Sequence, residues 1–411
     1  MLDELISLSQ TFLRIRNREF KRSFLVDHSL TNRFSIIIGQ RGIGKTTVMV
    51  QHLLNRYAGD RYNRKALFIQ ADHFLVVRSS LYEIVDEFHK LGGEFICFDE
   101  IHKYPDWSLE LKSIYDTFPN VHMLASGSSA LEIARGSHDL SRRAVVYRLQ
   151  GMSFREYLAM SHGLKFDSLS LDGLLTGHQQ AADAIVDILE KKGLKVMGLF
   201  KEYLEYGYYP YFLEYEEKSQ FYLTLEQNVH TTLESDLPAI HQALNGASIR
   251  KIKKLLSLIA SLVPFTPDLK QLKNLLGIGD ERTLKSYLKY LEDAGVILMV
   301  AKCGKGMREL EKPEKIYLDN PNLYHALAKG RAPDRGSMRE TFFLNMLRYG
   351  HSLAIPARGD FLVDDALTFE IGGKSKDTGQ IRNIDHAWLA VDGIEIGHGS
   401  RIPLWLFGFL Y

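Results

Sequence analysis

Cysteine is scarce: Cys97 and Cys303 are the only two in 411 residues. They stand far apart and in no ligand spacing, which excludes a disulfide framework and suits a reducing cytosol. Long apolar runs are missing too. No stretch reaches about 18 apolar residues, so no membrane-spanning helix is expected and the protein is placed in the cytoplasm. The opening "MLDELISLSQTFLRIRNR" has no basic start followed by an apolar run, and so does not read as a secretory leader. Nor is there an excess of one charge: 51 Lys and Arg face 50 Asp and Glu, a formal net charge of +1. A global electrostatic grip on nucleic acid is not announced, although a local basic patch is compatible with this balance. The fifteen histidines form no H-E-x-x-H group and the cysteines no C-x-x-C, which argues against structural zinc. Repeats and low-complexity tracts are absent.

Hydrophobic residues make up 45% of the chain, enough for proper cores. At about 100–200 residues per domain the length allows two to four domains. Residues 1–30 read as an amphipathic helical lead-in, with Leu2, Leu5, Ile6 and Phe12 at helical spacing. Five short apolar runs follow: "FSIIIG" at 34, "KALFIQAD" at 65, "EFICFDE" at 94, "NVHMLASG" at 120 and "RAVVYRL" at 143. Helical patterns separate them, among them "SSLYEIVDEFHKLGG", with a serine start and a glycine stop. Strands alternating with helices predict a parallel sheet with covered faces, an α/β domain over residues 1–160.

From 161 to 245 the pattern is helical and aromatic ("FKEYLEYGYYPYFLEY"), interrupted by a polar region near 163–178. Over 246–330, three helical segments, a short turn ("LKNLLGIGDERTL") and a β-hairpin match the order of a winged helix-turn-helix. A fresh α/β unit occupies 331–411, and the closing "PLWLFGFLY" reads as a buried last strand.

The stretch "GQRGIGKTT" fits G-x-x-x-x-G-K-[ST] in full, between an apolar strand and a helix. Gly39, Gly42 and Gly44, with Gln40, Arg41 and Ile43 between them, let backbone N–H groups curl around phosphate oxygens. The helix opening at Lys45, Thr46 and Thr47 adds its positive dipole end. Lys45 is expected to reach the β and γ phosphates of ATP, and Thr46 to ligate Mg²⁺. "FICFDE" delivers Asp99 and Glu100 to a strand's C-terminal edge, where open sheets place ligands. Asp99 suits the Mg²⁺ shell and Glu100 the orienting and polarising of an attacking water. The next strand ends in "ASGSSA". Ser126, or failing it Ser128, is placed to sit between the γ-phosphate and the water; a serine-rich turn capping the following helix is the alternative. Arg142 and Arg143 offer an arginine finger across a subunit interface, or a solvated face. His102, directly after "DEI", either senses the pocket or simply packs, and the dense aromatics of "YGYYPYF" read as core rather than as a stacking platform for bases.

Together "GQRGIGKTT", "FDEIHKYPDWSLELKSIYD", "ASGSSALEI", "LSRRAVVYRLQGMSFREYL" and "LESDLPAI" occur in an order that resembles the prokaryotic AAA+ ATPases carrying a winged helix and a restriction-endonuclease-like C-terminal domain. The resemblance implies a sheet in which the sensor strand separates the Walker A and Walker B strands. Arg143 matches the family arginine, whereas Arg142 replaces a usual glycine. "EYGYYPYF" departs from the usual glycine pair before the proline.

For the tail, the resemblance places Asp360 and Glu370 at the metal positions of a PD-(D/E)xK nuclease, with Glu340 on a helix and Lys374 nearby. The usual E-x-K is stretched to Glu370-Ile371-Gly372-Gly373-Lys374. Lys374 returns to the face of Glu370 only if the glycines keep the strand. In the helix over 280–295, Leu284, Tyr287, Leu288 and Leu291 form the expected buried face, while Arg282, Lys285 and Lys289 are available to phosphates. The expected protein is a cytoplasmic Mg·ATP-driven switch or remodeller acting on DNA or a protein partner, with homo-oligomerisation possible and no membrane association. An ATP-gated nuclease and a non-hydrolysing nucleotide-binding scaffold are the alternatives.

Overall fold

Continuous apolar runs are buried on both sides, and five of them make one sheet. The computed structural model describes residues 1–127, 140, 142–241, 244–262, 266–304, 313–327, 333–377 and 379–411. The strands are β1 (Phe34–Ile38), β2 (Ala66–Gln70), β3 (Phe95–Asp99), β4 (His122–Gly127) and β5 (Val145–Arg148). These are the five runs picked out from sequence. All pair in parallel, in the order β2-β3-β4-β1-β5, so β4 lies between β3 and β1 as the resemblance implies.

Helices pack on this sheet: α1 (Leu2–Arg16), α2 (Lys45–Arg56), α3 (Leu81–Lys90) and α4 (Trp107–Thr117). Serine and glycine set the ends of α3. Ser80 Oγ accepts the N–H of Tyr82 and Glu83, and Gly92 takes a left-handed φ of +86° beyond the last turn. The edge strand β2 is shielded by α1, where Ser9 Oγ accepts the Phe68 N–H at 2.9 Å and Phe12 stacks on Phe68 at 4.8 Å. An otherwise open ladder donor is thereby satisfied.

The chain divides into two compact units, Met1–Gln150 with Ser235–Gln242, and Gly151–Glu234 with Ala243–Tyr411. The first thus ends ten residues before the boundary read from sequence and regains a short later segment.

In the second unit α5 (Phe154–His162) opens with a complete capping box between Ser153 and Glu156. The polar stretch expected to interrupt the helices over 163–178 is largely helical from residue 171, where α6 (Leu171–Glu190) begins. Ser170 caps it, Leu171, Leu174 and His178 turn inward, and Gly177 absorbs a kink at φ −127°. Next, α7 (Val196–Glu202) runs into one π-helical turn, Tyr203–Gly207, ahead of α8 (Lys218–Thr231). Tyr203, Tyr208 and Tyr209 are buried, so this aromatic segment is core.

Three helices follow, α9 (Gly246–Leu262), α10 (Leu269–Leu276) and α11 (Glu281–Asp293), then the antiparallel pair β6 (Ile297–Val300) and β7 (Lys315–Leu318). Leu284, Tyr287, Leu288 and Leu291 are the buried face of α11, as their spacing requires. After α12 (Asn322–Leu327) and α13 (Arg335–Leu347) comes a second sheet. Its strands are β8 (Leu353–Ala354), β9 (Phe361–Val363), β10 (Leu367–Gly372), β11 (Ala387–Val391) and β12 (Arg401–Pro403), in the order β12-β11-β10-β9-β8. The pairs of β8 with β9 and β9 with β10 are antiparallel, and those of β10 with β11 and β11 with β12 are parallel.

The closing segment is buried but is not a strand: Leu404–Phe409 is a 3₁₀ helix. Pro403 lacks a ladder donor, and the helical turn packs Trp405 against Phe409, with ring centroids 5.7 Å apart. Among the described residues no helix is long and apolar enough to cross a membrane.

Candidate nucleotide-binding site

The loop from Gly39 to Gly44 joins β1 to α2, and each glycine there meets a stated requirement. A Cβ on Gly39 would stand 2.4 Å from Ile43 Cδ1 and 2.5 Å from the Leu149 carbonyl oxygen. Gly42 and Gly44 adopt φ of +84° and +95°, conformations that other residues enter at a cost. Ile43 is buried, and its carbonyl accepts from Arg22 Nη1 at 2.8 Å. Arg22 Nη2 donates to the Gln150 carbonyl at the same distance. A buried arginine far away in sequence therefore braces the loop, which no local motif signals.

Lys45 curls back over its own loop, donating to the carbonyls of Gly39 and Gln40 at 3.0 Å each. Its ammonium lies 3.9 Å from Glu100 Oε1. Burial lowers the Lys45 pKa, and the carboxylates of Glu100, Asp99 and Asp236 oppose that shift. Thr46 Oγ1 donates to Asp99 Oδ2 at 2.8 Å. Thr47, one residue along α2, is half-buried.

Behind them Ser126, at the end of β4, is fully buried. Its hydroxyl donates to Asp99 Oδ1 at 2.6 Å and accepts the Glu100 N–H at 2.9 Å. Ser126 thus fixes both acids. Asp99 is raised above the usual carboxylate range, first by burial and then by the neighbouring Glu100.

Glu100 sits in the left-handed region at φ +52°, a strained position for a residue with a side chain. Its carboxylate is within 3.9 Å of Lys45, 3.7 Å of His102 and 3.8 Å of Lys103. Burial pushes its pKa up, but Lys45, His102 and Lys103 outweigh that and hold it below the ordinary value. His102 is buried and belongs to this cluster rather than to a remote core.

Asp236, which sequence reasoning did not single out, is also here. It is buried, 4.0 Å from Arg41 Nη1, and acts electrostatically on Lys45 and His102. It arrives on the segment that begins at Ser235 and rejoins the first unit. Only the quoted stretch "LESDLPAI" hinted at it. Arg143 forks onto Asp116 near the end of α4, with Nε and Nη2 each 2.8 Å from a carboxylate oxygen. Arg142 is exposed. Ser128 and Ser141 lie outside the described residues.

The acids of the tail form a separate cluster in the second unit. Lys315 Nζ stands 3.3 Å from Glu340 and 3.8 Å from Asp360, and Tyr317 donates to Glu340 at 2.7 Å. Asp360 Oδ2 accepts the Ile371 N–H at 2.8 Å. Lys374 does not reach Glu370. Strand β10 ends at Gly372, the chain turns with Lys376 N donating to the Gly373 carbonyl, and Lys376 Nζ meets Glu370 Oε1 at 2.5 Å. The paired glycines bend the strand, and the lysine two residues later takes the place expected for Lys374. Among the described residues no three His, Cys, Asp or Glu side chains are grouped to hold a metal ion.

Residues 31–158 match the model of an AAA domain, and residues 197–334 that of a domain of unknown function, DUF8612. The chain is 28% identical over 403 residues to the uncharacterized protein MJ1637 of Methanocaldococcus jannaschii, covering 89% of this chain and 81% of that one. Looser similarity extends to solved structures. C. elegans PCH-2 is 17% identical with a TM-score of 0.25, covering 70% of this chain and 68% of its own. AMPPCP-bound DnaA from Aquifex aeolicus is 14% identical with a TM-score of 0.26, covering 65% and 86%. The match of residues 31–158 to the model of an AAA domain agrees with the five-stranded parallel sheet and the glycine-cradled lysine of a P-loop fold.

Proposed function

We propose that the protein binds and hydrolyses Mg·ATP at the loop between β1 and α2, and uses the cycle as a switch on DNA or a protein partner. One observation carries the reading: Thr46, Asp99, Ser126 and Glu100 form a continuous hydrogen-bonded chain beside the buried Lys45. Loop carbonyls hold the Lys45 ammonium where phosphate oxygens would replace them as partners. Thr46 and Asp99 suit Mg²⁺, which typically takes one or two protein oxygens and completes its shell with phosphates and water. When bound, the ion would neutralise charge on the phosphates. Glu100, held ionised by the neighbouring ammonium groups of Lys45 and Lys103, is the group to orient a water and accept its proton. Ser126 serves by positioning Asp99 and Glu100 rather than by touching phosphate. Arg143 acts as a finger only by leaving Asp116, so this pairing supports the alternative of a surface ion pair.

Lys45→Ala is expected to abolish binding of a fluorescent ATP analogue. Glu100→Gln should bind it normally and turn over about 10²–10⁴-fold more slowly. Equal hydrolysis by wild type and Glu100→Gln would reject the base assignment. Normal binding by wild type with no turnover would instead support the scaffold reading.

A second reading concerns the tail. The order α9-α10-α11-β6-β7 supports a winged helix over 246–330, and the mixed sheet from β8 to β12 supports a restriction-endonuclease-like core over 331–411. Lys289 contributes little to a phosphate-binding face, because it is spent on Glu292 and Asp293 at 3.2 and 3.3 Å. Asp360 and Glu370, the metal pair implied by resemblance, each stand beside a lysine, and Lys376 on Glu370 supplies the basic group that the nuclease layout calls for, so the binding and cleavage readings are separated by experiment. ATPase rates with and without duplex DNA, with a scan of that DNA for cuts, separate these readings. Stimulation without cuts supports the switch, and cuts lost in Glu370→Ala support the nuclease.

A further inference from the structure

The second unit contains a cavity of about 410 Å³ that neither the ATP chemistry nor the tail acids use. Its floor is apolar, made by Met197, Phe200 and Leu204 at the end of α7 and by Met338 on α13. Its rim is cationic. Lys201, Arg335 and Lys374 all line it, and among the described residues none of these three side chains has an ion-pair or hydrogen-bond partner. The acids at the same wall are already neutralised, Asp392 by Arg339 at 2.7 Å and Glu205 by Lys218 at 2.7 Å. The site therefore carries a net positive charge facing an apolar floor.

This rim is built rather than incidental. Arg401 donates to the carbonyls of Lys376 at 2.7 Å and Lys374 at 3.1 Å, and Asp392 N donates to the Gly372 carbonyl at 2.8 Å. Those bonds hold the turn that carries Lys374. Gly373 presses on the Arg339 guanidinium so closely that a Cβ there would stand 3.2 Å from Nη1. Arg339 and Lys374 also line a second, more open cavity of about 670 Å³, formed along Gly373 to Asp377. The two cavities share a wall, and the second leads toward Lys376.

An apolar floor with three unpaired cations calls for a flat apolar group bearing phosphate. The first cavity has the size usual for small-ligand sites, which run from about 300 to 1,000 Å³. A long acyl chain has no place to extend over so short a floor, whereas a phosphodiester chain continues naturally into the second cavity. We propose that this pair of cavities binds an unpaired nucleotide of a single strand, with the base on Met197, Phe200 and Met338 and the phosphates on Arg335 and Lys374. The binding is independent of ATP hydrolysis and of whether the tail cleaves.

The test uses the full chain and a fluorescein-labelled, 5′-phosphorylated ten-nucleotide oligothymidylate in EDTA, followed by anisotropy. Wild type is expected to bind. The double variant Arg335→Ala/Lys374→Ala should lose at least tenfold in affinity, and the slope of log K against log salt should flatten by about 1.4 for two lost contacts to a single strand. Met338→Trp, which fills the floor without changing charge, should lose affinity with the slope unchanged. An ATP analogue bound equally by all variants shows that the first unit's site is intact, and a thermal unfolding transition unchanged from wild type shows that the second unit, which carries the substitutions, is folded. Displacement by millimolar thymidine 5′-monophosphate identifies a free nucleotide as a sufficient ligand, and its failure to displace identifies the continuous strand. Oligonucleotide binding that is the same in both variants as in wild type would overturn the proposal, as would no binding of either probe by a chain that binds the ATP analogue.

Discussion

His52 sits on α2 with its ring 5.7 Å from that of Phe95, and its Nε2 is buried without a hydrogen-bond partner. Burial, with Arg56 adding to it, lowers its pKa from the ordinary 6.5 to about 4. The unfolded chain therefore takes up a proton in a range where the folded chain refuses it. Stability is full above pH 6.5 and falls as the pH drops from there toward 4, by up to about 3 kcal/mol. Chemical denaturation at pH 7 and pH 4.5 should show this loss, and His52→Gln should reduce it. An equal pH dependence in the variant would remove His52 as the cause. Asp236 is the second residue whose environment makes a prediction. Its carboxylate shares the surroundings of Lys45, Arg41 and His102, where it adds negative charge that phosphates must meet. Asp236→Asn is expected to bind an ATP analogue several-fold more tightly at low salt, and weaker binding would show that its role is to hold Arg41 in place.

At the scale of elements, the π-helical turn Tyr203–Gly207 leaves backbone carbonyls that an α-helix would have bonded. Asn322 satisfies them, donating to the carbonyls of Tyr203 at 3.1 Å and Leu204 at 2.9 Å while accepting the Tyr208 N–H at 2.9 Å. Asn322→Ala strands three buried groups and should cost about 2–4 kcal/mol, read as a fall in thermal midpoint. This device was invisible in sequence because its partners lie more than a hundred residues apart. The strands were legible for the opposite reason. "FSIII" and "FICFD" are continuous apolar runs whose burial is decided locally, and the glycine pattern from Gly39 to Gly44 encodes its own backbone. The place of Lys374 stayed open in the sequence because spacing cannot say whether Gly372 and Gly373 extend a strand or end it, and the strand ends at Gly372. "PLWLFGFLY" was read as a strand because short apolar runs do not distinguish a strand from a buried helical turn.

For the whole molecule, two compact units with separate cores mean that nucleotide should stabilise one of them directly. With Glu100→Gln to prevent turnover, Mg·ATP at a hundred times its Kd is expected to add about 2.7 kcal/mol to the unit that binds it. A thermal scan should show the shift in Glu100→Gln and none in Lys45→Ala. The near balance of charge, +1 overall, hides local contrasts such as the three unpaired cations around one apolar cavity.

Because a peptide beginning at Ser235 rejoins the first unit, that unit cannot be recovered by cutting the gene at any single point. A recombinant fragment stopping near residue 160 would contain every residue of the glycine-lysine motif, yet it would lack Asp236 and the buried Leu237. Such a fragment would probe an altered pocket, with one fewer negative charge around Lys45 and a newly exposed apolar surface. Binding constants taken from it would describe a different pocket from that of the intact chain.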